Sequence, residues 1–149
     1  QKEILEGIKQ DLDISIYAKK EFDSFQMAQI REGLEANLDV SLYAKPEYNA
    51  DQMWQIFAGL DENVEVSWIT NSDLDWQQMQ QIRLGLEEKL DVSRYAKKEL
   101  SWKEMKEIRE ELLKESRMTN RKIIYPYLYM YIFLEMSKRT KEEKMKGKS

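Results

Sequence analysis

Neither cysteine nor histidine occurs anywhere in the 149 residues. Without cysteine there are no disulfide staples, thiolate metal sites or cysteine nucleophiles. Without histidine the commonest general base and the commonest transition-metal ligand are gone as well. Glycine (five) and proline (two) are too scarce for long structureless loops. The longest uninterrupted apolar run, Ile123 to Leu134, has 12 residues, against roughly 17–25 for a spanning helix, so no membrane partner is expected. No secretory leader is recognisable, and the cytoplasm is the expected compartment. Gln1 already lies inside a periodic pattern, so a native start upstream of it is expected.

What remains is a globular composition, 42% hydrophobic and 35% charged, which suits helices with solvated faces. The net charge of −4 conceals an asymmetry. Residues 1–115 carry 15 Lys/Arg and 25 Asp/Glu, a balance of −10, whereas residues 116–149 carry 9 and 3, a balance of +6. An acidic body repels nucleic-acid phosphate, while a basic tail attracts it or an acidic partner.

Internal alignment finds a 26-residue period. Met27, Met53, Met79 and Met105 recur at that step, as do Ile30, Ile56, Ile82 and Ile108, and Leu34, Leu60, Leu86 and Leu112. Gly7, Gly33, Gly59 and Gly85 keep it too. The second half of each unit reads Leu-Asp-Ile-Ser-Ile-Tyr-Ala from Leu12, Leu-Asp-Val-Ser-Leu-Tyr-Ala from Leu38 and Leu-Asp-Val-Ser-Arg-Tyr-Ala from Leu90. Asp23, Asn49, Asp75 and Ser101 are good N-caps. Gln26, Gln52, Gln78 and Glu104 follow three positions later and complete capping boxes. Met27, Ile30 and Leu34 then form one apolar stripe. The pattern predicts helices over 24–36, 50–62, 76–88 and 102–114. Asp13, Asp39 and Asp91 cap shorter helical turns carrying Tyr17, Tyr43 and Tyr95. The Met column, at helical spacing with Ile and Leu, reads as core rather than as an adaptable exposed groove.

The expected fold is therefore all-α: a small helical-repeat array whose 26-residue units each hold one longer and one short helix. No unit can bury its stripe alone, so neighbours must stack. The partial unit is 1–21, the full units are 22–47, 48–73 and 74–99, and a terminal half-unit spans 100–115. The glycine column has two readings. Either each glycine permits close approach of a neighbouring element, or it ends the helix as a C-cap. Glu111 takes that place in the last unit, which has no successor to approach it.

Residues 116–149 leave the repeat. Tyr125, Tyr127, Tyr129 and Tyr131 alternate around Pro126, which fits a helix starting near the proline or an extended segment. A segment capping the open end of the array is expected here, followed by a frayed basic tail over the final dozen residues.

Gln-Met-x-x-Ile-Arg-x-Gly-Leu stands at Gln26–Leu34 and Gln78–Leu86, followed by Leu-Asp-Val-Ser-x-Tyr-Ala at Leu38–Ala44 and Leu90–Ala96. This wording resembles a short repeat in proteins of gut Firmicutes, their phages and their conjugative elements. The resemblance covers residues 1–115 and brings no catalytic residues. It implies an accessory protein of a mobile element, and such proteins often act against host defence systems, CRISPR nucleases included. The unit of residues 48–73 departs from the pattern, with Glu65 for Asp and Ile69-Thr70 for Tyr-Ala.

No convergent catalytic or metal site is visible. An Asp73/Asp75 acid pair lacks the partners that acid–base chemistry needs, and Asp61-Glu62-Asn63-Val64-Glu65 lacks calcium-loop spacing. No enzyme activity, cofactor, metal or small-molecule substrate is expected. The column Ala28, Trp54, Gln80, Lys106 is mostly small or polar, and Arg31, Phe57, Arg83, Arg109 is polar except at Phe57. Trp68 shares a column with Ile16, Leu42 and Arg94. Trp54, Phe57 and Trp68 are thus either anchors for a protein partner or aromatics buried locally. The expected function is protein binding, as an inhibitor or adaptor whose partner is a defence nuclease or another host protein. Two alternatives stand: nucleic-acid binding through Tyr125, Tyr127, Lys138, Arg139 and Lys141, or a structural repeat region of a larger protein.

Overall fold

The structure, a computed structural model, describes residues 1–147, with all side chains but those of residues 122–124. Lys148 and Ser149 at the end of the basic tail lie outside the described residues, as do the side chains of Ile123 and Ile124 that open the apolar run. The described chain is all-α. Helices α1 (Lys2–Lys9), α2 (Ser24–Glu35), α3 (Ala50–Asp61), α4 (Trp76–Glu87) and α5 (Trp102–Lys146) alternate with 3₁₀ turns at Ile14–Ile16, Val40–Leu42, Val66–Trp68 and Val92–Arg94. Helices α2 to α5 begin 26 residues apart, and each 3₁₀ turn lies 26 residues after the last. Two compact units result, Gln1–Glu110 and Glu111–Ser149.

Local chemistry explains where the helices begin. Asp23, Asn49 and Asp75 each accept from the backbone N–H three residues on, while Gln26, Gln52 and Gln78 reach back to the cap's own N–H. All three are complete capping boxes, worth about 1 kcal/mol apiece. The helix ends are equally regular. Asn37 adopts φ +56°, its N–H bonds the Leu34 carbonyl, and the Leu38 N–H bonds the Gly33 carbonyl. That is a Schellman ending, and Asp11, Asn63 and Lys89 repeat its positive φ.

The glycine question is thereby decided. No glycine has positive φ, so the left-handed end residue is Asn37 or its equivalent, four positions past the glycine. A Cβ at Gly7, Gly33 or Gly85 would instead overlap the hydroxyl of Tyr17, Tyr43 or Tyr95. Those hydroxyls donate to the carbonyls of Glu3, Gln29 and Gln81 at 2.7–2.8 Å. Glycine is the notch that lets each buried tyrosine reach the backbone of its own unit's helix.

Within the first unit α1 packs on α2, α2 on α3 and α3 on α4. Ile30, Ile56, Ile82, Met53, Met79 and Met105 are fully buried, so three of the four Met positions are core, while Met27 in the first full repeat is half-buried.

The terminal helix differs from its expected course. It does not stop near residue 114, and the tyrosine-rich stretch is neither extended nor a fresh helix at Pro126: α5 runs unbroken to Lys146 with Pro126 inside. Few residues of the stretch are β-branched, and the one bond lost to the missing proline N–H is outweighed by the helical bonds on either side. The side chains of Tyr125 and Tyr127 to Leu134, the run expected to serve as a cap, are exposed.

Burial pushes the hydroxyls of Tyr43 and Tyr95 well above the ordinary tyrosine value, with Glu32 adding to the rise at Tyr43. At Tyr95 the nearby Arg109 opposes part of the rise, and Glu88 adds to it. Because the folded values are raised, the stability tied to these neutral hydroxyls is complete below about pH 10 and is lost as pH climbs through the folded values. Each tyrosine should add about 1.4 kcal/mol of destabilisation per pH unit above 10. Urea midpoints at pH 8 and pH 11 check this, with Tyr43→Phe showing the shallower decline. Equal declines in the two proteins would mean that Tyr43 does not govern the alkaline transition.

Candidate functional site

Two kinds of polar rung tie successive units together. The first extends the capping box. While Gln52 Oε1 accepts from Asn49 N–H at 2.8 Å, its Nε2 donates forward to the carbonyls of Leu74 at 2.7 Å and Ser72 at 3.2 Å. Gln26 Nε2 bonds the Tyr48 carbonyl, and Gln78 Nε2 those of Leu100 and Lys98. An amide can accept at one end and donate at the other, which an ionised carboxylate of the same shape cannot. Glu104, in the last unit, accepts from Ser101 N–H and has no following unit to serve.

The second rung uses arginine. Arg31 Nε donates to Glu3 Oε2 at 2.6 Å, Arg83 Nε to Gln55 Oε1 at 2.9 Å and Arg109 Nε to Gln81 Oε1 at 3.0 Å, each reaching 28 residues back. Their Nη1 atoms bond Glu35, Glu87 and Glu88 in turn. This column is therefore not an outer face: Arg83 is only 8% exposed.

Phe57 occupies the arginine position of that ladder. It is half-buried, and the rung it should complete is missing. The acceptor that would take it, Gln29 Oε1, is a buried side-chain oxygen left without a partner among the described residues. A buried unsatisfied acceptor costs about 1–3 kcal/mol. The same 26 residues depart from the pattern twice more. Asp13, Asp39 and Asp91 each accept from the serine N–H two residues on, but Glu65 makes no side-chain cap. Ile69 stands where Tyr17, Tyr43 and Tyr95 bond a carbonyl.

Two exposed aromatics belong to the same repeat and a third opens the next helix. Trp54, one turn before Phe57 on α3, is 42% exposed. The Arg83 guanidinium carbon lies 5.4 Å from the Trp54 ring centroid, within cation–π range. Arg83 is itself fixed by Gln55 and Glu87, so the indole rests on an immobile base. Trp68, in the following 3₁₀ turn, is 38% exposed, as is Trp76 at the start of α4. Of the three aromatics that the sequence leaves open between exposed anchors and local burial, Trp54 and Trp68 are exposed and Phe57 is half-buried. Sequence reading missed Trp76 and both sets of rungs. The signal for the glutamine rung was present: Gln in every internal unit, Glu only in the last.

The acidic candidates are otherwise engaged. Asp75 caps α4, and Asp73 Oδ2 lies 3.7 Å from Lys98 Nζ. No cluster of metal-ligating residues and no helix long and apolar enough to cross a membrane occurs among the described residues. On α5, Tyr125 and Tyr127 are exposed but lie 11 to 16 residues before Lys138, Arg139 and Lys141, roughly 16–24 Å along the helix. Lys138 also pairs with Glu135 at 3.6 Å. The five residues form no single cluster.

Comparison with family models, characterised proteins and solved structures returns no match.

Proposed function

We propose that this protein is a non-catalytic protein-binding module, an inhibitor or adaptor, whose contact face is centred on Trp54, Phe57 and Trp68. The observation that carries this reading is the broken rung. An array that satisfies Glu3, Gln55 and Gln81 with arginines leaves Gln29 Oε1 unsatisfied in order to hold Phe57. Stability given up at one place, beside exposed aromatics, is the mark of a surface kept for binding. Trp54 is pre-oriented on Arg83, so it loses little freedom on docking. The balance of −10 over residues 1–115 favours a basic partner face. The resemblance to repeats of phages and conjugative elements makes a host defence nuclease the first partner to try.

The ladder supplies a test that truncation to alanine cannot. Phe57→Arg restores the rung, giving Gln29 Oε1 a donor and placing Asp61 where Glu35 and Glu87 pair. Stability should rise by about 1 kcal/mol, while loss of an aromatic anchor should weaken partner binding by about 2 kcal/mol or more. Capture from a host lysate with wild type and Phe57→Arg side by side, quantified by mass, checks this. A protein held by the wild type and lost by the more stable variant supports the reading. Identical captures by the two proteins would remove Phe57 from any binding role.

A further inference from the structure

The stretch of α5 from Tyr127 to Leu134 is apolar around its whole circumference and exposed throughout. Such a helix requires burial on more than one side. A membrane surface does not suit it: lying flat needs a polar face, which this stretch lacks, and the 12-residue apolar run that contains it, Ile123 to Leu134, is too short to span.

Its flanks say what suits it better. Lys114, Arg121, Leu128, Glu135 and Glu142 recur every seven residues, forming one stripe that is basic in its first half, acidic in its second and apolar at its centre. Such a stripe is its own complement once reversed. Beside it runs a seam at coiled-coil spacing: Met118, Lys122, Tyr125, Tyr129, Ile132 and Met136, apolar except at Lys122, with the five apolar members exposed. Tyr129, Ile132, Phe133 and Met136 enclose a shallow concavity of about 250 Å³ on that seam, room for a side chain from a facing helix. The stripe on the seam's other side reads Leu112, Thr119, Pro126, Phe133 and Thr140, without charge, so nothing there opposes pairing.

We propose that α5 pairs antiparallel with α5 of a second copy of this chain, in register about Leu128. In that register Lys114 faces Glu142 of the other copy, Arg121 faces Glu135, and Leu128 meets Leu128. Each charged contact forms twice, over about 42 Å of helix. The same alignment sets Tyr129 opposite Tyr125, Met136 opposite Met118 and Ile132 opposite Lys122, whose long apolar stem can pack there while its ammonium reaches the rim. In a parallel pair the charged stripe of each copy would instead face the uncharged stripe of the other, and these attractions would not form. Charges flanking a coiled-coil seam set partner orientation in this way. The intrahelical Glu135–Lys138 contact, at 3.6 Å and exposed, is weak enough to exchange.

The full chain, studied by sedimentation equilibrium up to about 100 μM, should show twice its 17.9 kDa mass. Arg121→Glu or Glu135→Arg alone creates two like-charge contacts per pair and should weaken association at least about tenfold. The two changes together restore the attraction with reversed sign, and should recover association to within about threefold of wild type. Circular dichroism should show equal helicity in all four proteins. A chain that stays monomeric at that concentration overturns the proposal, as does a monomer that binds phosphatidylserine vesicles. A double variant no stronger than the singles, or singles no weaker than wild type, overturns the register.

Discussion

Gly33→Ala should lower the stability of the array by about 3 kcal/mol, although the same change in an ordinary helix interior stabilises by roughly 0.5–1 kcal/mol. The added methyl overlaps the Tyr43 hydroxyl and meets Val40 Cγ1 at 2.6 Å. Tyr43 must then leave its pocket, breaking its bond to the Gln29 carbonyl and uncovering a fully buried ring. The melting temperature should fall by more than about 10 °C. Gly59 provides the internal control. Ile69 replaces tyrosine in that unit, and a Cβ at Gly59 meets only Val66 Cγ1 at 2.9 Å, Val64 at 3.3 Å and Ile69 at 3.4 Å. A small shift of one valine accommodates it, so Gly59→Ala should stay within about 1 kcal/mol of wild type. Thermal melts of both variants decide the matter, and equal losses would show that the tyrosine notch is not what the glycines serve.

Gln52→Glu is the second change expected to act strongly, with a loss of about 2–4 kcal/mol at neutral pH. The carboxylate can still accept from Asn49 N–H, but its other oxygen then faces the Leu74 carbonyl where an N–H stood 2.7 Å away. Gln52 is buried, so the charge is neither solvated nor paired. Acid should reverse the effect: a protonated carboxyl can donate to Leu74, and its pKa is raised by burial and by the opposing carbonyls. The variant should therefore approach wild-type stability as pH falls through that raised value, the reverse of ordinary acid denaturation. Glu104→Gln makes the opposite exchange at an exposed box with no unit beyond it and should change stability by less than about 0.5 kcal/mol. Urea unfolding of both variants at pH 7 and pH 4 tests the pair. A pH-independent loss in Gln52→Glu would show that the forward bond to Leu74 contributes nothing.

Legibility of the site varied with the reach of each interaction. Trp54 was recognisable because its column is otherwise small or polar, and the structure leaves it exposed. Phe57 looked equivalent, since its column is polar, yet that polarity belongs to arginines turned inward onto the preceding unit. Composition of a column does not reveal whether its charges meet water or a neighbour.

The sequence by itself determined the helix starts and the core stripe, which depend on residues three or four apart, together with the period that multiplies them. Helix starts follow from Asp23, Asn49 and Asp75 bonding N–H groups three residues away. The core stripe follows from the 3.6-residue turn acting on Met, Ile and Leu. Tertiary structure decided the rest, because the partners lie elsewhere in the chain. Gly33 answers to Tyr43 ten residues on, Gln52 to Leu74 at 22 and Arg83 to Gln55 at 28. The vacancy at Gln29 exists only once the next helix has packed and brought Phe57 where arginine stands in the other units. The course of α5 through Pro126 was likewise undetermined locally, since twelve apolar residues fit strand and helix equally. Continuous helical hydrogen bonding on both sides of the proline settles it.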